Sequence, residues 1–186
     1  MLSAIDTLKP GINPPDEINV VVEIPKGSSI KYEINQQSGE ISVDRILVPA
    51  MFYPCNYGFI PQTKEEGGGA DPIDVFIIGN YSLLPKSVIS CRPVGILSTE
   101  DQGGIDPKII AVPVTRIDPT FSTILDINDI PENVRTQLKH FIEHHKDLVE
   151  GKYVKLEGWE GKDAAKIKIS DGIKRYNRKI DGEYRI

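Results

Sequence analysis

The feature that most constrains this chain is a run of short, β-branched segments, each closed off by Pro, Gly or Asp, before any helical pattern begins. Asn19 to Ile24 is rich in valine, Ile30 to Asn35 and Ile41 to Val48 alternate, and Ser38-Gly39 marks a turn between the last two. Val75 to Ile78, Val88 to Leu97 and Ile109 to Val114 follow. Spacing of this kind predicts a compact antiparallel barrel or sandwich. One stretch differs. From Pro131 to Glu150, Val134, Leu138, Phe141, Leu148 and Val149 recur at helical spacing, Pro131 suits a first turn, and Gly151 ends it. Tyr153 to Leu156 reads as a further strand, and Asp163 to Ile180 as a weaker second helix, poorest around Gly172. Strands first and helices late predict an α+β fold, mainly β.

At 186 residues the chain has the length of one domain, 1–186. The nearest thing to a linker, Lys64 to Ala70 with its glycine run, is short enough to be a loop within it. No segment approaches the roughly 18 apolar residues that cross a bilayer, and Met1 to Pro15 lacks a basic start followed by an apolar block, which argues against a signal peptide. The net charge of −5 has the wrong sign for a protein that lives on nucleic-acid phosphates. Cys55 and Cys91 make neither a disulfide framework nor a zinc site. These features predict a soluble, cytoplasmic protein with no membrane and no nucleic-acid partner.

Charge inside the strand-like runs is more informative. Period-2 alternation puts Glu23 on the face of Val21, sets Lys31 and Glu33 on one face, and brings Arg45 after Val43 on another. A solvated outer face explains any one of these; a barrel with a polar mouth would let all of them converge. Asp71-Pro72-Ile73-Asp74 leads straight into Val75-Phe76-Ile77-Ile78, although an Asp-Pro turn accounts for it when taken alone. Asp101 to Lys108 reads as a hairpin loop with acidic corners at Asp101 and Asp106. Two such loops would build a site rich in carboxylate oxygens, which suits Mg²⁺. Metals on carboxylates gather phosphate oxygens and activate water, while Lys and Arg stabilise the remaining negative charge. Tyr53 and Tyr57, in the loop-like Phe52 to Gly58, add neutral donors. The residues by themselves point to metal-dependent phosphate chemistry.

Seven ordered stretches carry a resemblance: Val22-Glu23-Ile24-Pro25, Ile30-Lys31-Tyr32-Glu33, Val43-Asp44-Arg45, Ala50 to Phe59, Ala70 to Val75, Cys91 to Gly95 and Lys152 to Trp159. Over nearly its whole length the chain resembles the bacterial soluble inorganic pyrophosphatases of family I. The resemblance implies a small five-stranded OB-like barrel with two flanking C-terminal helices, a homohexamer, and cleavage of pyrophosphate to two phosphates. Several Mg²⁺ ions per site are implied, with Mn²⁺ as a substitute. By the same resemblance Asp71 helps deprotonate the attacking water. Asp74 and Asp106 are shared metal ligands, and Asp101 and Glu23 serve further metals. Lys31, Arg45, Tyr57, Lys108 and Lys146 hold phosphate, and Glu33 and Tyr53 support the site.

Two positions depart from the family pattern. Its D-x-D-P-x-D motif appears here as Gly69-Ala70-Asp71-Pro72-Ile73-Asp74, after a loop about two residues longer than usual. The carboxylate missing at Gly69 would belong to the tightest metal site, and its loss should weaken that metal. Glu65 or Glu66, swinging across Gly67-Gly68-Gly69, is the candidate replacement ligand. At His145, beside Lys146, the family places a tyrosine that donates to phosphate. A neutral imidazole still offers one donor, and a reference pKa near 6.5 gives the site an acid-side dependence on pH. His140 and His144 match positions the family uses at subunit contacts. The alternative to a working enzyme is a catalytically impaired relative that binds pyrophosphate or another phosphate ligand, motivated by Gly69 and His145. A single-strand-binding OB module is a third reading, and the acidic charge opposes it.

Overall fold

The computed structural model describes residues 7–36, 38–67 and 71–183. Its strands are β1 (Ile18–Ile24), β2 (Ile30–Ile34), β3 (Ile41–Ile46), β4 (Asn56–Ile60), β5 (Ile73–Ile77), β6 (Val88–Asp101), β7 (Gly104–Ile105), β8 (Lys108–Pro113) and β9 (Val154–Gly161). The α-helices are α1 (Glu132–His144) and α2 (Lys162–Glu183). Pairing runs β1–β4–β5–β8–β6 and returns from β6 to β1, so five strands close a ring. β9 extends this sheet from β6, and β7 folds back on the end of β6. One pair corrects the antiparallel expectation: β5 and β8 run parallel. The chain passes through β6 between them, and β6 is antiparallel to β8, which restores the direction of β5.

Ring strands buried on both faces need apolar residues at consecutive positions rather than strict alternation. Ile73, Val75 and Ile77 of β5 pack with Ile109 and Ala111 of β8 against Ala165 and Ile169 of α2. Phe76, Ile110 and Val112 face the other way and meet Leu138, Phe141 and Ile142 of α1. The two helices therefore close opposite faces of one sheet. β6 carries Pro93, which a central strand tolerates because the register with β8 shifts between Pro93 and Gly95.

Several local expectations need correcting. Asn56 to Gly58 is strand, not loop, and the Asn56 side chain is tied to backbone at both polar atoms: its Oδ1 accepts from the Lys26 and Leu83 amides at 2.9 Å, and its Nδ2 donates to the Tyr81 carbonyl at 2.9 Å. Gly58 is required there, since a Cβ would fall 1.9 Å from the Val21 carbonyl oxygen on β1. The first helix stops at His144 rather than Glu150. Beyond it the chain makes successive turns, with Asp147 N–H bonded to His144 O and Val149 N–H to Lys146 O, and Leu148 is exposed. The strand expected at Tyr153 to Leu156 runs to Gly161, with the register against β6 slipping between Ser98 and Thr99. α2 passes Gly172 without a break. Its missing side chain is what lets the helix approach β5, because a Cβ would sit 2.4 Å from Ile73 Cδ1.

β2 and β3 form a separate two-stranded sheet that folds over β1 through Ile34, which packs on Val21 and Phe59. Among the described residues no helix is long and apolar enough to cross a membrane.

Candidate active site

The mouth of the ring collects the charged residues. Two adjoining cavities, ≈ 470 Å³ and ≈ 220 Å³, share Lys31, Tyr57, Asp74, Asp101, Asp106 and Lys108 as a common wall. The larger adds Glu23, Glu33, Glu65, Glu66 and Asp71, so its own lining is acidic. The smaller adds Arg45, Tyr53, His145, Lys146 and Lys152, so its own lining is cationic and aromatic. Every described residue named above as a catalytic, metal, phosphate or supporting candidate lines one half or the other, whereas His140 and His144 line neither. Gly69 itself lies outside the described residues.

Each carboxylate is placed by backbone. Asp74 is the second residue of β5, and alternation turns it away from the buried Ile73 and Val75. Its approach is fixed by Thr63, whose hydroxyl donates to Ile60 O at 2.6 Å and accepts from Ile73 N–H at 2.9 Å. Asp101 ends β6, where its Oδ1 accepts from Gly103 N–H at 2.7 Å and closes the turn into β7. Asp106 is held by its own N–H bonding Thr99 O at 2.8 Å, while the Thr99 hydroxyl donates to Asp106 O. Glu23 sits in β1 under the β2–β3 hairpin and accepts from Ile34 N–H at 2.9 Å. Burial pushes its carboxyl up to about 7, opposed by that N–H, with the Asp74 charge adding to the rise.

Cations lie against these anions. Lys108 Nζ stands between Asp74 and Asp106, bonding both. Burial would lower its pKa, but the two carboxylates outweigh this and hold it raised. Lys146 reaches Asp101 at 2.9 Å, which with the Gly103 N–H overcomes burial and lowers the Asp101 pKa. Lys31 binds Glu33 at 2.7 Å and Asp44 at 2.9 Å, and Asp44 also accepts from Arg45 Nε at 2.9 Å. Among the described residues no three His, Cys, Asp or Glu groups converge as a ready metal cage. The lysines stand between them.

On the cationic side the wall is aromatic. Tyr53 packs against Phe141 with ring centres 4.7 Å apart, and Tyr57 meets Phe76 edge-on at 4.8 Å. Burial, with the Asp74 charge next, holds the Tyr57 hydroxyl pKa well above its ordinary value, so it stays protonated and able to donate. His145 lies parallel to Phe141 at 4.9 Å.

The expected swing of Glu65 does not describe its setting. Its N–H bonds Asp71 O at 2.9 Å and its Oε2 accepts from Lys168 of α2 at 2.5 Å, so it is anchored inside the acidic half. Its Oε1 is buried with no hydrogen-bond partner among the described residues. Glu66 is exposed. The preceding Lys64 is tied to α2 as well, its N–H bonding Gly172 O at 3.1 Å and its carbonyl accepting from Arg175 at 2.9 Å.

Reading the sequence missed four contributors. Asp44 was visible as the residue between Val43 and Arg45, but only the Lys31–Arg45 cross-strand register shows that it joins the network. Lys168 carried a usable signal: it lies three residues after Ala165 and four before Gly172, a charge inside the buried stripe of α2. Thr63 and Lys152 carried none, because a loop threonine and a lysine after Gly151 look like ordinary surface.

A model of the family described as inorganic pyrophosphatase matches residues 20–177. An inorganic pyrophosphatase of Sulfolobus acidocaldarius is 54% identical over 168 residues, covering 90% of this chain and 96% of that protein. One from Aquifex pyrophilus is 50% identical over 171 residues, covering 92% and 96%. Among solved structures, the inorganic pyrophosphatase of Helicobacter pylori superposes with a TM-score of 0.87 at 41% identity, covering 92% of this chain and 99% of that one. That of Thermus thermophilus gives 0.87 at 40%, covering 94% and 99%.

Proposed function

The chain belongs to the family I inorganic pyrophosphatases and hydrolyses pyrophosphate to two phosphates, and we propose that it does so with divalent cations, Mg²⁺ by preference, held in the acidic half of the site. The observation that carries this is the ordered split of the cleft: oxygen-only carboxylate donors on one side, cations and phenols on the other, and a wall of both between them. The donor set of Glu23, Asp71, Asp74, Asp101 and Asp106 contains no thiol or imidazole, which fits a hard cation such as Mg²⁺ and admits Mn²⁺. The unpartnered Glu65 Oε1 supports Glu65 as the ligand in place of the carboxylate absent at Gly69. Bound there, the ions would neutralise phosphate oxygens and lower the pKa of the attacking water.

The remaining work falls to the side chains. Lys108 and Lys146 are paired with Asp74, Asp106 and Asp101; with those carboxylates holding cations, the two lysines would be free to donate to phosphate oxygens. Lys31 and Arg45 reach the same anion from the hairpin, and the Tyr57 hydroxyl donates without titrating. Tyr53 stiffens this wall through Phe141, and Glu33 orients Lys31. Asp71 takes a proton from the attacking water as its oxygen bonds one phosphorus and the bridging P–O bond breaks. One proton of that water ends on each product.

We also assign the chain to the cytoplasm and to a homo-oligomer, the hexamer of its family resemblance. Support for assembly is the exposed α1 surface, where His140 and His144 rings lie 4.6 Å apart beside Asp147. The test of function is phosphate release from pyrophosphate while Mg²⁺ or Mn²⁺ is titrated. Saturable, chelator-sensitive release is expected, and release that persists in excess chelator would refute the metal requirement.

A further inference from the structure

His145 closes the C-terminal end of α1, and its ring is held on two sides. One face lies on Phe141 at an interplanar angle of 14°. Its Nδ1 is 3.0 Å from the Phe141 carbonyl oxygen and 2.9 Å from that of Ile142. A carbonyl oxygen only accepts, so the hydrogen of the neutral ring must sit on Nδ1. Nε2 is then a bare lone pair in the lining of the cationic half. The one donor of the neutral imidazole is thus spent on the helix end, and the neutral ring has none left for phosphate.

The surroundings make this consequential. Facing the same cavity are Lys31 from β2, Arg45 from β3, Asp74 from β5, Asp101 from β6 and Lys108 from β8 with Asp106 before it. Lys146 follows His145, Lys152 precedes β9, and Tyr53 and Tyr57 complete the titratable groups. Burial, with Lys146 and Arg45 adding to it, lowers the pKa of His145, so the ring is neutral at pH 7 in the free protein despite the helix carbonyls. A phosphate oxygen without a proton is an acceptor and has nothing to share with a bare lone pair. The tyrosine expected from the family resemblance would have donated at any pH below its own ionisation.

We propose that phosphate binding in this protein takes up one proton at His145 Nε2, which then donates to a phosphate oxygen, so that His145 makes the affinity for phosphate depend on protons. This rests on the cationic half being the phosphate cradle. The anion supplies the negative charge that offsets Arg45 and Lys146, and the proton comes from solvent. Affinity for phosphate should strengthen toward acid by up to about tenfold per pH unit between the His145 pKa of the free protein and that of the complex, in excess of the slope that the ionisation of phosphate itself gives a tyrosine variant.

The experiment uses the full chain with Mg²⁺ and inorganic phosphate. Ring nitrogens are followed by NMR in protein labelled at its three histidines, with His145 identified by its loss in His145→Gln. Calorimetry in two buffers of different ionisation heat counts protons taken up by the natural protein and by His145→Tyr. The expected result is an Nδ1–H ring in the free protein that becomes doubly protonated with phosphate, and a proton uptake larger in the natural protein than in His145→Tyr. A ring that stays neutral at saturating phosphate, an Nε2–H form in the free protein, or equal uptake by both proteins overturns the proposal while leaving the cradle intact. Failure of phosphate to bind either protein, with pyrophosphate hydrolysis retained, overturns the cradle as well.

Discussion

The two halves of the cleft are built in different ways. On the acidic side Glu23, Glu65, Asp101 and Asp106 sit at a strand, a strand end or a pinned turn, with the backbone or α2 bonding the residue that carries each carboxylate. In the cationic half the charges ride on long side chains from β2, β3 and the turns after α1, and the rigid part is the aromatic wall behind them. The difference matches the ligands proposed for the two halves. A small cation needs several oxygens held at fixed separations, whereas a phosphate is satisfied by donors that find it. The shared wall couples the two, because Lys108 is bound to Asp74 and Asp106 at once.

Breaking that wall should have the largest effect. Asp74→Asn removes a charge that both halves use, and we expect kcat/KM for pyrophosphate to fall by roughly 10³-fold, in the range seen when one preorganised electrostatic group is lost. Phosphate-release kinetics over a wide Mg²⁺ range measure it. A loss below about tenfold would separate the two halves and refute the shared wall.

The next effect is one of stability and isolates the acidic half. Glu23 has a carboxyl raised to about 7 from 4.5, chiefly by burial. Between those values the folded protein holds a proton that the unfolded chain has lost, so this group's contribution to stability falls as pH rises through that window. Above it, both states are ionised and the folded one carries a penalty on the order of 3 kcal/mol. Glu23→Gln should therefore raise the Tm of metal-free protein at pH 8, with little change at pH 4, and reduce the further rise that Mg²⁺ gives. Thermal melts at the two pH values are decisive, and equal shifts at both would exclude the ionisation as the cause.

How far the sequence showed this divide depends on which link carried the information. The ring strands were legible where β-branched runs met Pro and Gly, as in β1, β6 and β8. β4 was not, because Asn56 and Gly58 have poor strand propensity and are there for a distant hydrogen-bond set and for the close passage of β1. α1 was legible from its apolar spacing, but Leu148 extended that pattern falsely beyond the helix. For the site, residue types at strand starts pointed to metal and phosphate, and the convergence of Glu23 with Asp74 depended on a hairpin fold-over that no local pattern encodes. The setting of His145 depended on a rotamer against its own helix carbonyls, which sequence does not carry.

A cationic-half variant should be milder. Lys146→Ala leaves Asp101 without its ion-pair partner and, on the proposed reading of the cationic half, removes one donor to phosphate. A single charged hydrogen bond of this kind is worth about tenfold. We expect KM for pyrophosphate to rise by about that factor, with the half-saturating Mg²⁺ concentration unchanged or slightly lower, since Asp101 is freed for the cation. Initial rates over a grid of substrate and Mg²⁺ separate the two. A raised Mg²⁺ requirement instead would place Lys146 with the metal-holding residues.

The smallest effect sharpens the acidic half from inside. If Glu65 already provides the carboxylate that Gly69 does not, restoring the family residue adds little, and Gly69→Asp should lower half-saturating Mg²⁺ by only about two- to threefold, while Glu65→Gln raises it by about tenfold. The physical reason is that Glu65 is already anchored by Lys168 and by the Asp71 carbonyl, so the ordering entropy that a swinging side chain would lose is largely absent. Mg²⁺ titrations of both variants, read by the metal-induced rise in Tm as well as by turnover, test this. A tenfold or larger drop on Gly69→Asp, with Glu65→Gln unchanged, would show that the glycine left a ligand position unfilled and that Glu65 is held by Lys168 for structure alone.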